Sequence, residues 1–145
     1  MTGLPRFAAT ALLTGYGWLA VGGMLAAWHA LNTGTMAGGP WWMSVPLGGL
    51  VYDGVWHALL LGFVFSMIFG HAPIIFPALL GVQIRFSRLF YLHLALLHLT
   101  LIVRTAGGVM LNFDWRAWGA IGNTLAILLF LVMTVSHLRR RPSSS

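Results

Sequence analysis

Apolar residues run almost unbroken along most of this chain, and polar residues gather in short intervals between them. Four apolar stretches, at about 7–32, 53–79, 84–106 and 117–138, are each long enough to cross a hydrocarbon core, which takes roughly 20 helical residues. The pattern predicts an all-α fold, an integral membrane four-helix bundle in one transmembrane domain spanning residues 1–145. The first stretch extends far past the core of a signal peptide and has no convincing cleavage site after it, so it reads as a retained helix. Residues 33–52 carry no charge and are rich in glycine, proline and tryptophan, which predicts an outer loop lying on the membrane surface. The closing segment 142–145 is too short and polar to fold and reads as a disordered tail.

Composition strengthens this reading. The chain is 59% hydrophobic and 7% charged, too little polar surface for a soluble domain of 145 residues. Its charged residues are eight arginines and two aspartates, a formal net charge of +6. The arginines sit at the ends of apolar runs and form no basic groove, which argues against a nucleic-acid partner. Arg6, Arg85, Arg88, Arg139, Arg140 and Arg141 fall on one side, and Arg104 and Arg116 on the other. The positive-inside rule then places both termini in the cytoplasm, with the chain in an inner, bacterial-type cytoplasmic membrane. Trp28, Trp41, Trp42, Trp56, Trp115 and Trp118 mark the opposite boundary as an aromatic belt, and only Trp18 lies inside a span. With no cysteine, metal chemistry falls to histidine, methionine and carboxylate. The chain has no phosphate-binding glycine loop and no carboxylate pair, which argues against a nucleotide-driven pump or a hydrolase.

Ionisable residues within spans are costly and mark candidate sites, so the histidines lead. His57 and His71 share the second span, fourteen residues apart, about 21 Å of rise and within about 40° of one face. His93 follows the next turn by as many residues as His71 precedes it, which predicts an inner pair at equal depth. His29 and His57 form the corresponding outer pair. Neutral imidazoles on facing helices suit haem iron and also copper, making His57, His71 and His93 candidate metal ligands and His29 and His98 further cofactor candidates. Each ring is equally accounted for by a hydrogen bond to a neighbouring carbonyl or hydroxyl. His137, beside three arginines, reads as interfacial. His93 and His98 point about 140° apart, so one chain does not hold the paired histidines of a two-haem helix pair.

Other polar positions refine the picture. His93, Thr100 and Arg104 fall within about 40° of one another on the third span, and Arg104 is positioned to hold an acidic group such as a haem propionate, to pair with Asp114, or to snorkel outward. Asp53 precedes His57 by one turn and fits either an N-cap or a partner that orients the imidazole. Gly54, Ala58, Gly62, Ser66 and Gly70 form a small-residue stripe for close helix approach. Asn123 and Thr134 are expected to bond across to other helices, and Pro73 and Pro77 to kink or end the second span just after His71.

The segment HALLLGFVFSMIFGH, from His57-Ala58-Leu59 through Gly62, Met67 and Gly70, resembles the His-Ala-Leu…Gly…Met…Gly helix of the NnrS family. Those are haem- and copper-containing membrane proteins associated with nitric-oxide stress and distantly like the catalytic subunit of haem–copper oxidases. The resemblance implies a role for His57 as a haem or metal ligand. It covers about fifteen residues, and Pro73-Ile-Ile-Phe-Pro77 stands where the family has an arginine. Two functions follow as expectations: a small haem b-binding membrane protein in electron transfer, respiratory or nitric-oxide chemistry, or a cofactor-free accessory subunit. The latter would pack on a larger respiratory complex, or a second copy, through the small-residue face.

Overall fold

The computed structural model describes residues 3–33, 50–84 and 86–140. Among these residues, four helices are long and apolar enough to cross a membrane: Gly3–Asn32, Tyr52–Leu80, Phe90–Val109 and Phe113–Ser136. Much of the outer loop, with Trp41 and Trp42, the tail, and Arg85 and Arg141 lie outside the described residues.

Helix α1, Gly3–Thr33, starts earlier than its apolar run. Pro5 sits in its first turn, where a missing N–H removes no helical bond. The second span is composite: α2 (Leu50–His57), a π-helical segment (Ala58–Val64) and α3 (Phe65–Leu80). Pro73 and Pro77 lie inside α3 and do not end it. The helix stops where Gly81 adopts the left-handed conformation, φ 62°.

A short antiparallel ladder then interrupts the expected third span, pairing β1 (Val82–Ile84) with β2 (Leu138–Arg140). Helix α4 accordingly begins later, at Phe90, and runs to Val109 through Gly107 and Gly108. Helix α5, Phe113–Ser136, begins earlier than expected because Asn112 caps it, accepting from the Trp115 N–H at 3.0 Å, and Asp114 adds an anion to the first turn. Leu111, at φ 57°, makes the tight reversal between α4 and α5.

Lipid offers helices no hydrophobic reason to associate, so close contact depends on small residues. The predicted stripe does this work within the chain. Gly22 meets Ala58 and Leu59, Trp18 lies over Gly62, Gly15 meets Ser66, and Gly70 meets Ala11. Residues four apart drift by about 40° per step on an α-helix. The π segment takes more residues per turn, so across it the drift runs in the opposite sense, and Ala58, Gly62 and Ser66 all lie against α1. Gly54, before that segment, faces Thr105 of α4 instead.

Helices α4 and α5 are joined as closely. A Cβ at Gly119 would lie 2.6–2.7 Å from the Cβ, Cα and N of Arg104, one at Gly107 would lie 2.8 Å from Arg116 N, and Gly122 rests on the Thr100 side chain. A buried hydrophobic cluster lies towards the end of the bundle that holds β1 and β2. There Phe7, Phe69, Phe90 and Phe130 pack with Leu94, Leu97, Ala126 and Met133, and Phe69 stacks on Phe130 at 4.3 Å. Phe86 lies against Gly3, so the start of α1 and the segment after α5 reach the same end of the bundle.

Because Gly119 abuts backbone, Gly119→Ala is expected to destabilise the folded bundle by about 1–3 kcal/mol in reversible unfolding from detergent micelles. Gly17, with nothing within 4 Å of its Cβ position, serves as the control; its alanine variant is expected within about 0.5 kcal/mol of wild type.

Candidate functional site

The only ion pairs among the described residues converge on one carboxylate. Asp53 lies within α2, in its first turn, and is not an N-cap. Arg116 Nη2, from α5, donates to Asp53 Oδ2 at 2.9 Å, and Arg104 Nη2, from α4, lies 3.4 Å from both carboxylate oxygens. Three spans therefore meet at a single aspartate. Arg104 is paired with Asp53 and not with Asp114, which is exposed. Two guanidiniums against one carboxylate leave an excess positive charge, and the Nε atoms of Arg104 and Arg116 are buried without a hydrogen-bond partner.

His57 completes the cluster. Its Nδ1 lies 2.7 Å from the Asp53 carbonyl oxygen and 3.3 Å from Asp53 Oδ1. A carbonyl only accepts, so Nδ1 carries the proton and Nε2 of the neutral ring keeps its lone pair. That is the tautomer a metal-ligating histidine adopts when its other nitrogen donates to a carbonyl or carboxylate. His57 is half-buried, with its side chain 27% exposed.

The remaining histidines occupy separate environments. His71 is exposed, with Nδ1 donating to Met67 O at 2.8 Å. His93 is completely buried, ringed by Phe69 at 4.7 Å, Phe130 at 5.3 Å, Phe90 at 5.7 Å and Phe7 at 6.0 Å between centroids. Both its ring nitrogens lack a partner. The expected inner pair does not form, because one ring faces outward and the other is enclosed by phenylalanines that leave no room for a macrocycle beside it. Equal depth does not make two rings face each other.

His98 accepts from Trp18 Nε1 at 2.9 Å. An indole N–H can only donate, so the lone pair of His98 is used at Nδ1 and its proton sits on Nε2. His98 is thus configured as a packing residue tying α1 to α4, at the foot of a groove of about 770 Å³ lined by Gly17, Val21, Ile102, Thr105 and Val109. His29 is half-buried towards the end of α1, and α1 packs along Leu50–His57. His137 is half-buried, its Nδ1 donating to Met133 O at 2.8 Å.

Of the expected cross-helix bonds, Asn123 makes one: its Oδ1 accepts from Thr100 Oγ1 at 2.7 Å. Thr134 Oγ1 is buried without one among the described residues. No group of three or more histidine or acidic side chains converges on a common metal position among the described residues. The site that exists is therefore one histidine supported by an aspartate and two arginines. Arg116 was the member not singled out from sequence. Comparing the depths of charged residues, as was done for histidines, would have placed it level with Asp53 and Arg104.

The chain belongs to the family described as Domain of unknown function (DUF8744), whose match covers residues 1–139. Neither the curated proteins nor the solved structures contain a match. The likeness to NnrS therefore rests on the second-span segment alone.

The geometry ranks the two arginines. In double-mutant cycles measured by unfolding, Asp53→Ala with Arg116→Ala is expected to show a coupling of about 1 kcal/mol. The Asp53→Ala and Arg104→Ala cycle is expected to give a smaller value, since its contacts are longer.

Proposed function

We propose that this protein is a small haem b-binding membrane protein, acting in electron transfer, respiratory or nitric-oxide-related redox chemistry, in which His57 would hold the iron. The observation that carries the reading is the placement of His57 Nδ1, 2.7 Å from the Asp53 carbonyl oxygen and 3.3 Å from its carboxylate, which directs Nε2 away from both acceptors as a free lone pair. The surroundings fit the group. Each arginine engages Asp53 through one nitrogen and retains donors for a propionate, and the buried, unpartnered Nε atoms mark an unmet demand for an acceptor. Bound haem would supply one-electron exchange. Asp53 would orient the ligating ring, and Arg104 and Arg116 would pair with the propionates. His29, at the corresponding end of α1, is the candidate second ligand. The same His57 nitrogen suits copper.

In this reading the arginine-rich end lies in the cytoplasm and the haem site near the outer face of an inner, bacterial-type membrane. A larger respiratory complex or a second copy is the electron partner. The cofactor-free alternative relied on the small-residue face of the second span as its docking surface. Gly15, Trp18, Gly22 and Ala11 of α1 already cover that face.

The test is the optical spectrum and metal content of the full chain purified in mild detergent. A Soret band with near-stoichiometric iron is expected. His57→Ala is expected to cut retained haem at least tenfold, Asp53→Asn to lower haem affinity about 10–100-fold, and His93→Ala to leave the band position unchanged. Absence of a Soret band together with absence of iron and copper overturns the proposal.

A further inference from the structure

Six of the eight arginines cluster in sequence around one end of the bundle, while both aspartates belong to the opposite end. The tertiary structure turns that sequence asymmetry into a surface. The β1–β2 ladder sets Arg139 opposite Gln83 and Arg140 opposite Val82, so the segment after α5 is fastened to the link between α3 and α4. Phe86 of that link lies against Gly3, which brings in the start of α1 with Arg6. Arg6 and Arg88 are both exposed. Four arginines from three separated parts of the chain are thus gathered with no carboxylate side chain at that end among the described residues.

We propose that this end is a binding surface for anionic phospholipid headgroups, with Arg6, Arg88, Arg139 and Arg140 supplying the complementary charge. Depth favours a lipid over a soluble anion or an acidic protein. Arg6 lies in the first turns of α1, Arg88 two residues before α4, and Arg139 and Arg140 within four residues of the end of α5. All four therefore lie at the ends of the candidate spans, the positions a bilayer's headgroups would meet. Residue type agrees: topology is served equally by lysine and arginine, whereas the chain uses arginine alone, whose planar guanidinium holds a phosphodiester through two parallel hydrogen bonds. The ladder adds order, because it fixes two of the cationic residues to a backbone frame instead of leaving them on a free tail.

The proposal is tested on the full-length protein in neutral detergent by native mass spectrometry, with phosphatidylglycerol and phosphatidylcholine of matched acyl chains. Phosphatidylglycerol is expected to be retained at least about tenfold more strongly, saturably, and less so as salt is raised. Each arginine near a headgroup surface contributes about fivefold. The pair Arg139→Gln and Arg140→Gln is therefore expected to weaken retention about 25-fold while leaving phosphatidylcholine adducts unchanged. Equal retention of the two lipids overturns the proposal, as does phosphatidylglycerol retention that is indifferent to the two substitutions. Displacement of phosphatidylglycerol by equimolar inorganic phosphate also overturns it, since the surface would then serve a free anion. Where the substituted protein fails to fold, the headgroup comparison, the salt titration and the phosphate competition on the wild-type chain decide the matter.

Discussion

The contact of Gly119 with the backbone of Arg104 is the constraint on which the arrangement of the end of the bundle that holds Asp53 depends. A side chain at that glycine would hold α4 and α5 apart. With hydrogen there instead, two helices that gain nothing from hydrophobic association in lipid come close enough for dispersion and for the Thr100–Asn123 hydrogen bond. The same approach brings Arg104 and Arg116 to one level, where both reach Asp53 on the second span. A carboxylate with no cationic partner at that depth would be costly. Close packing and charge neutralisation thus support each other.

Polar groups within the bundle divide by what they face. Asp53, His57, Arg104 and Arg116 form a connected cluster with spare donors and one unused lone pair, an arrangement suited to holding something else. His93 is the opposite case. Four phenylalanine rings enclose it, and edge contacts from an imidazole N–H to aromatic faces are weak compensation for a missing acceptor. His98 lies between these extremes, its acceptor nitrogen satisfied by Trp18 across the interface of α1 and α4. The three rings share a residue type and have different chemistry, decided by which atom each neighbour offers.

Much of the architecture was readable from the order of residues. Spans need length and apolarity, and both are local properties, so four were placed with boundaries shifted by only a few residues. Some of the shifts have local causes, namely an Asn112 cap, Gly81 in the left-handed region and Pro5 in a first turn, whereas the late start of α4 follows the β1–β2 ladder. Pro73 and Pro77 do not end α3, which continues to Leu80. The π segment was not legible, since Ala58–Val64 contains nothing that an ordinary helix would refuse. The ladder was hidden for another reason: β1 and β2 are distant in sequence and individually too short to show a period.

For the candidate site, sequence alone established which polar residues lie near the ends of the apolar spans and that His57 follows Asp53 by one helical turn. That spacing is intrinsic to a helix and needs no partner. Which acid Arg104 would choose, whether His71 and His93 would meet, and which surface would cover the small-residue stripe were decided only by tertiary structure. Those outcomes depend on the rotation of each helix about its own axis. Apolar residues surround every one of these spans almost uniformly, so hydrophobicity cannot report that rotation; glycine contacts and a shared carboxylate set it instead.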